Sequence, residues 1–294
     1  MAWDVRGKTA LVTGASSGIG FETSLELARR GARVLMVGRD RARTEAAVAR
    51  VVAHSGAGEV GSLLCDFSSQ AQVRALAESV LARVDHLHVL VNNAGAVNKA
   101  RRTTVDGIET TFAVNHLGGF LLTRLLTDLL VRSAPARVVT VASAVHRRGT
   151  LDFDDLGFAR GYGIMKAYAR SKLANVLFST ELARRLEGRG VTSNCIHPGS
   201  VATNIWSGAP LWARPFIHLF LRRSFISAQE GARGVVALVT DPALEGVTGR
   251  YYEHGEEARP ALLARDRALA VRLWDVSAAL VGLVPARASA RGRA

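Results

Sequence analysis

The chain has few of the residues that would tie it to a metal, a disulfide framework or a membrane. Its only cysteines are Cys65 and Cys195, and neither lies in a metal-ligand spacing. Each ends an apolar run typical of a buried strand, so we expect two reduced core residues. No run of about 18 apolar residues occurs, and the amino terminus shows no basic-then-apolar leader. These absences predict a cytoplasmic chain without a metal site.

Lysine and acidic residues are scarce relative to arginine. Lysine and arginine together number 38 against 25 acidic residues, a net charge of +13, yet the only lysines are Lys8, Lys99, Lys166 and Lys172. A basic chain can bind nucleic acid. The arginines are scattered, however, and no zinc-finger, basic-zipper or RNA-binding signature accompanies them. We therefore expect solvated helix faces and no nucleic-acid partner. The alternative, a nucleic-acid-binding protein, rests on the net charge alone.

Apolar runs of strand length alternate with helix-length amphipathic segments. The runs are nearly continuous in hydrophobicity, as expected for parallel strands covered on both faces. Strands are predicted at 8–14, 32–38, 60–66, 87–92, 136–143, 191–197 and 249–253, and helices at 18–30, 41–53, 69–84, 103–132, 163–188, 227–240 and 261–280. This pattern predicts a single α/β domain over residues 1–294. Its core would be a doubly wound (Rossmann) parallel sheet of about seven strands with helices on both faces.

A glycine-rich turn follows the first predicted strand. Gly14, Gly18 and Gly20 give the spacing G-x-x-x-G-x-G. Glycines allow the tight reversal and the close approach to a pyrophosphate, and the following helix offers free N–H groups to the phosphates. A glycine cluster can also be a mere tight turn. The run Asn92-Asn93-Ala94-Gly95 after the fourth strand favours a dinucleotide site, because ligands of such sheets bind at the carboxyl ends of the strands.

Tyr168 and Lys172 are four residues apart and therefore share one face of a predicted helix. A phenol has a reference pKa of about 10, too high for acid–base work at neutral pH unless a cation such as Lys172 stabilises the phenolate. A lone Y-x-x-x-K is usually a surface pair, and Tyr162 and Lys166 repeat that spacing nearby. Combined with the glycine turn and Ser143, the Tyr168–Lys172 pair instead predicts proton transfer coupled to hydride chemistry on a carbonyl or alcohol.

The end of the second predicted strand bears on the choice of cofactor. Sites that bind NAD place an acidic side chain there for the ribose hydroxyls. Here Gly38 holds that place and Arg39 follows. A guanidinium binds a 2′-phosphate bidentately, so we expect NADP(H) in preference to NAD(H). Alternatively, Arg39 only begins a surface helix that Asp40 caps.

Through these motifs the chain resembles the short-chain dehydrogenase/reductase family over nearly its whole length. The runs VNHLG at 114–118, SAVH at 143–146 and AYARSKLANVLF at 167–178 resemble its retinol-dehydrogenase-like branch. The resemblance implies four catalytic residues. Ser143 would hydrogen-bond the substrate oxygen, Tyr168 would move the proton, Lys172 would also bond the nicotinamide ribose, and Asn115 would hold a water that links Lys172 to solvent.

The resemblance also implies a set of cofactor-binding residues. Asp66 and Phe67 would flank the adenine, although Asp66 could instead be only a helix cap. The backbone at Pro198-Gly199, with Val201 and Thr203, would meet the carboxamide. The full set is Gly14, Ser16, Ser17, Gly18, Ile19, Gly20, Arg39, Asp66, Phe67, Asn93, Ala94, Gly95, Tyr168, Lys172, Pro198, Gly199, Val201 and Thr203.

The segment at 200–226 follows the Pro198-Gly199 turn and is long, apolar and aromatic. We expect a lid that lines a pocket for a lipophilic alcohol, aldehyde or ketone, in preference to a contact with a membrane surface. Residues 286–294 predict a disordered tail. A homo-oligomer is left open, and a non-catalytic NADP-binding scaffold or redox sensor on the same fold is the alternative function.

Overall fold

The structure is a computed structural model, and it describes residues 3–56, 59–199 and 226–283. Apart from Ile226, the predicted lid at 200–226 lies outside these residues, and so do Val201, Thr203 and the predicted tail at 286–294. None of the helices in the described part of the chain is both long enough and apolar enough to cross a membrane.

The strands form one sheet. They are β1 (Thr9–Thr13), β2 (Arg33–Gly38), β3 (Val60–Leu64), β4 (Val89–Asn92), β5 (Ala136–Val141), β6 (Val191–His197), β7 (Tyr251–Glu253) and β8 (Glu256–Glu257). Within the described residues the order is β3-β2-β1-β4-β5-β6-β7-β8, parallel except for the last pair. The order reverses between β1 and β4, which confirms the predicted doubly wound sheet. The additional strand β8 is two residues long, too short to leave a pattern in the sequence.

The helices lie between the strands along the chain. They are α1 (Gly18–Arg29), α2 (Arg41–Ser55), α3 (Gln70–Arg83), α4 (Thr110–Phe112), α5 (Gly118–Arg132), α6 (Ile164–Arg185), α7 (Ala228–Thr240) and α8 (Arg267–Leu280). Local side chains begin several of them. The Asp40 carboxylate accepts from the Arg43 backbone N–H at 2.9 Å, and Ser227 forms a capping box with Glu230 on α7.

The helix predicted over 103–132 is wrong in its first turns. Thr103 pairs with Glu109 in an isolated bridge, and Gly107 turns the chain at a φ of 75°. Helical structure begins at Thr110, where the Glu109 carboxylate accepts from two backbone N–H groups. Between α4 and α5, residues Ala113–Leu117 form a π-helical turn. This wider turn carries Asn115, and such turns often occur at functional sites.

Apolar side chains cover both faces of the sheet. On β1, Leu11 belongs to the core formed with α3, α5, α6 and α8, whereas Ala10 and Val12 belong to the core formed with α1, α2 and α7. The two-sided burial explains why the strand sequences are continuous in hydrophobicity rather than alternating. Both layers leave the carboxyl ends of the strands to the loops that carry the polar motifs.

Trp274 anchors the last helix to the rest of the core. Its ring stacks on Phe178 with centroids 6.0 Å apart and meets Phe120 edge-on at 5.1 Å. The guanidinium carbons of Arg124 and Arg185 lie 4.9 and 4.4 Å from the ring centroid. Aromatic packing and cation–π contacts therefore join α8 to α5 and α6.

Replacement of Trp274 by alanine should lower the free energy of unfolding by about 3–5 kcal/mol, because it removes a large buried ring and leaves a cavity. Urea denaturation followed by circular dichroism measures the change. Leu280→Ala, at the partly exposed end of the same helix, is the control and should cost about 1 kcal/mol or less. Equal losses in the two variants would contradict an anchor at Trp274.

Candidate active site

The glycine turn after β1 forms a cradle at the start of α1. Gly14 and Gly18 have φ values of 64° and 60°, a conformation that favours glycine. A Cβ on Gly20 would overlap the carbonyl oxygen of Gly14. Ser17 precedes α1, but its side chain makes no capping hydrogen bond to the helix, which leaves the first N–H groups available to an anion. The cradle therefore fits a pyrophosphate.

Thr13 and Asn93 join this turn to the end of β4. The Thr13 hydroxyl donates to the Val91 carbonyl at 3.1 Å and accepts from the N–H groups of Asn93 and Ala94 at 2.9 and 3.0 Å. The Asn93 amide in turn donates to the carbonyl of Thr13 at 2.8 Å. Two predicted motifs, distant in sequence, are thus hydrogen-bonded to each other at the point where the strand order reverses.

Asn115 holds the loop after β4 and contacts the helix that carries Tyr168. Its side-chain oxygen accepts from the Ala96 N–H at 2.7 Å, and its amide donates to the Ala96 carbonyl and to the Ser171 hydroxyl, both at 3.0 Å. Ser171 donates to the Tyr168 carbonyl at 2.8 Å. A Cβ on Gly95 would lie 3.5 Å from the Asn115 oxygen and 3.7 Å from the Lys172 amino nitrogen. The motif residues Gly95, Asn115 and Lys172 therefore meet.

Ser143, Tyr168 and Lys172 come together beyond the end of β5. The Ser143 side chain lies close enough to the Tyr168 hydroxyl to lower its pKa. The Lys172 ammonium donates to the Val141 carbonyl at 3.0 Å and lies 5.6 Å from the centre of the Tyr168 ring. This arrangement places a hydroxyl, a phenol and an amine at one edge of the sheet.

The electrostatics of this group differ from the sequence-based expectation. Burial raises the pKa of Tyr168 to about 12, although the nearby Ser143 side chain opposes the rise. Burial also lowers the pKa of Lys172 to about 8. The expected lowering of the Tyr168 pKa by the lysine is not seen, because desolvation dominates and the ammonium is turned to the Val141 carbonyl. In this state both groups are pushed toward their neutral forms.

The end of β2 is formed by Gly38, which Arg39 follows. A Cβ on Gly38 would overlap the Thr44 hydroxyl, so an acidic side chain does not fit there without a shift of α2. Asp40 is occupied as the cap of α2, as the alternative prediction held. Arg39 is exposed, and its guanidinium makes no hydrogen bond or ion pair with the described residues. It is therefore free to bind a ligand.

The other predicted cofactor contacts lie around the same edge. Asp66 is not the cap of α3, a position that Ser69 holds; its carboxylate instead accepts from the Ser68 N–H at 2.9 Å. Phe67 is buried against Gly118. Beyond β6, Gly199 has a φ of 101° and packs against Ile226, while Val201 and Thr203 lie outside the described residues.

Three residues that the sequence analysis did not single out support the site. Ser171 links Asn115 to Tyr168, as described above. Arg170 donates to the carbonyls of Thr150, Asp155 and Leu156 and so holds the loop between Ser143 and Tyr168. Gly149 lets that loop contact α6, since a Cβ there would lie 2.8 Å from Leu173. The first two lie within the run at 167–178, but no spacing rule assigns them a contact.

His146, which follows Ser143 closely, is part of the scaffold. Its ring accepts from the Ala261 N–H at 3.0 Å through Nε2, so the other ring nitrogen donates to the Ser143 carbonyl at 2.8 Å. Burial lowers its pKa, which keeps the ring neutral. In the described residues, no group of three or more His, Cys, Asp or Glu side chains could hold a metal ion.

Comparisons with known proteins show which family the chain resembles. The sequence profile of the short chain dehydrogenase family matches residues 8–213. Human retinol dehydrogenase 14 is 43% identical over 295 residues, which cover 95% of this chain and 88% of that protein. Bovine dehydrogenase/reductase SDR family member 13 is 44% identical over 289 residues, 96% of this chain and 75% of its own.

Solved structures show the same fold. A protein of uncharacterised function from Mycobacterium paratuberculosis superimposes with a TM-score of 0.77 at 32% identity, over 96% of this chain and 98% of its own. RhlG of Pseudomonas aeruginosa, solved as a complex with NADP in the active site, gives a TM-score of 0.69 at 27% identity, over 91% and 98% of the two chains.

The profile match and the long alignments place the chain in the short-chain dehydrogenase family, a class of nicotinamide-dependent oxidoreductases. Within the family it lies in the retinol-dehydrogenase-like branch, as its motifs predicted.

The pKa of Lys172 has a consequence for stability. An ordinary lysine in the unfolded chain keeps its proton to a pH of about 10.4, whereas the folded chain releases it near pH 8. Between these values the unfolded state binds more protons, so this residue makes the folded state more stable as the pH rises. Relative to the parent, Lys172→Met should lose up to about 3 kcal/mol between pH 7 and pH 10.

Urea denaturation of parent and variant across this pH range measures the difference. Lys166→Met makes the same chemical change at an exposed position of α6, and subtracting its profile removes effects on the unfolded chain. Parallel profiles for Lys172→Met and the parent would contradict a buried ammonium with a lowered pKa.

Proposed function

We propose that the chain is an NADP-dependent oxidoreductase that transfers a hydride between the cofactor and a hydrophobic alcohol, aldehyde or ketone. One observation carries the proposal. Ser143, Tyr168 and Lys172 converge at the carboxyl edge of the sheet, beyond which the glycine turn of β1 is hydrogen-bonded to the loop after β4. This is the edge at which doubly wound sheets bind dinucleotides.

Different residues of the chain would hold different parts of the cofactor. The glycine turn and the start of α1 would hold the pyrophosphate, and Arg39 the 2′-phosphate. Asp66 and Phe67 would border the adenine, Lys172 would bond the nicotinamide ribose, and the Pro198-Gly199 turn would meet the carboxamide. The free guanidinium of Arg39 and the space taken by Thr44 beside Gly38 support NADP over NAD.

When bound, the nicotinamide supplies or accepts the hydride. The protein would transfer the accompanying proton. In the reductive direction the Tyr168 hydroxyl, which its raised pKa keeps protonated, would donate to the substrate oxygen while Ser143 holds that oxygen by a hydrogen bond. In the oxidative direction Tyr168 would take the proton from the alcohol.

Lys172 would stabilise the phenolate that Tyr168 leaves after donation. Its ammonium spends one of its donors on the Val141 carbonyl, which leaves two for the ribose and for a route to solvent. Asn115 would contribute to that route by binding a water. In the structure, the hydrogen bonds of its side chain to Ala96 and Ser171 fix the position of the loop after β4.

Two observations support a lipophilic substrate. Several relatives are named as retinol dehydrogenases, and retinol is a lipophilic alcohol. The segment at 200–226, which follows the proposed carboxamide contact, contains Trp206, Trp212, Phe216 and Phe220. Apolar and aromatic walls are typical of pockets for such substrates.

Tyr168→Phe should reduce kcat at least about 100-fold, because the proton donor is lost, while the dissociation constant for NADPH stays within about threefold of the parent. Steady-state kinetics with a panel of lipophilic aldehydes and ketones, and fluorescence titration of NADPH, measure the two quantities. Tyr162→Phe is the matched control. It removes the same hydroxyl from the other Y-x-x-x-K pair, where it donates to the Asn98 carbonyl, and should leave kcat nearly unchanged.

If Tyr168→Phe retained kcat within threefold of the parent, Tyr168 would not be the acid. If the parent bound NADPH but turned over no member of the panel, a non-catalytic NADP-binding role would replace the proposal.

Arg39→Asp should raise the KM for NADPH at least about tenfold more than the KM for NADH, since a carboxylate would replace the cation beside the 2′-phosphate. Arg43→Asp makes the same charge change on the first turn of α2 and controls for a general loss of positive charge. A parallel rise for both cofactors, or an equal effect of the two variants, would make Arg39 a structural residue and reopen the choice of cofactor.

A further inference from the structure

Two residues of the sequence motifs have no part in the proposed mechanism, and both line one small internal cavity. Asn92 ends β4, and His116 follows Asn115 in the π-helical turn. With Thr140 of β5 and Asn175 of α6 they surround a space with about 10 Å³ of room for the centre of a water molecule. A buried water needs about that much room and two to four polar partners.

Three buried polar atoms of these lining residues have no partner within the described part of the chain. They are Asn92 Oδ1, Thr140 Oγ1 and His116 Nδ1. Unpaired buried polar atoms are rare in native structures, and three on one cavity form an unusual concentration. The Asn175 side chain is near enough to His116 to favour its protonated form, yet it does not meet hydrogen-bond geometry with Nδ1.

The orientation of the Asn92 amide follows from its neighbours. The Thr123 hydroxyl donates to the Gly119 carbonyl at 2.7 Å and therefore accepts from the Asn92 amide nitrogen at 2.8 Å. The Asn92 oxygen is left on the side of Gly119, another lining residue, where a Cβ would lie 3.4 Å from it. An acceptor thus borders the cavity.

We propose that this cavity is a binding site for one structural water, held by Asn92 Oδ1, Thr140 Oγ1 and His116 Nδ1. With this water, each of the three atoms has a hydrogen-bond partner. The water donates to Asn92 Oδ1 and accepts from the Thr140 hydroxyl. Its second proton goes to His116 Nδ1 when His116 Nε2 carries its proton toward the Ser277 hydroxyl, 2.9 Å away.

His116 suits this role because its ring is neutral. Complete burial lowers its pKa to about 4, so at neutral pH one ring nitrogen donates and the other accepts. Asn115 also lines the cavity, whereas Lys172 does not. The water would tie the ends of β4 and β5 to the π-helical turn that presents Asn115. The site does not depend on the proposed activity.

A high-resolution crystal structure of the chain tests the site directly. We expect an electron-density peak within about 3.2 Å of all three atoms. A cavity without such a peak would overturn the proposal.

Thr140→Val gives a solution test, in which the direction of the change in Tm distinguishes a bound water from a dry cavity. The variant keeps the shape of the side chain and removes the hydroxyl. If the water is bound, the loss of its donor should lower the Tm by about 2–4 °C. If the cavity is dry, the change removes an unpaired buried hydroxyl and the Tm should stay level or rise. A Tm at or above that of the parent would therefore overturn the proposal.

Thr23→Val is the matched control. The Thr23 hydroxyl is also buried without a partner among the described residues, but Thr23 does not line the cavity. The same substitution there should leave the Tm level or raise it. An equal fall in Tm for both variants would show that the loss at Thr140 is unrelated to a water, and would also overturn the proposal.

Discussion

The hydroxyl of Thr13 is the contact on which the geometry of the site depends. It lies at the carboxyl end of β1, where the order of the sheet reverses, and it bonds one backbone group near the end of β4 and two just after that strand. The Val91 carbonyl also accepts from the Asn93 N–H at 3.1 Å, so these bonds form one connected group. Because they are made, the glycine turn and the loop with Gly95 have a fixed separation, and Asn115 and Lys172 can contact that loop from the other side.

Burial tunes the titratable groups of the site in opposite directions. It raises the pKa of Tyr168 and lowers that of Lys172, so each group resists the charge that proton transfer requires of it. The two charges would cost less free energy together than apart, since a phenolate and an ammonium attract each other strongly in a medium of low dielectric constant. A bound substrate and cofactor would also exclude water and strengthen that attraction. In the proposed mechanism, the site would therefore be organised around a phenolate–ammonium pair that forms only during the reaction.

Much of the fold could be predicted because its signals are local. Continuous apolar runs predicted the parallel strands, and the motif residues lie at their carboxyl ends, where Gly14 meets Asn93 and Ser143 lies beside Tyr168. The π-helical turn at Ala113–Leu117 could not be predicted, since one residue added to a helical turn hardly alters hydrophobic periodicity. Nor could the partners of Ser171 and Arg170, which depend on how α6 packs on two loops. The prediction that the pKa of Tyr168 is lowered was wrong for a related reason: depth of burial is a property of packing, not of spacing.

The short strand β8 shows how the sheet ends. A parallel sheet that stopped at β7 would present a row of free backbone groups, which is a template for pairing with another chain. Instead the chain turns back for two residues, and both of them, Glu256 and Glu257, carry exposed carboxylates. One of these carboxylates lies 3.2 Å from Arg250. An incoming strand would meet a short edge lined with negative charge. The hairpin that adds least to the core thus guards the protein against edge-to-edge aggregation.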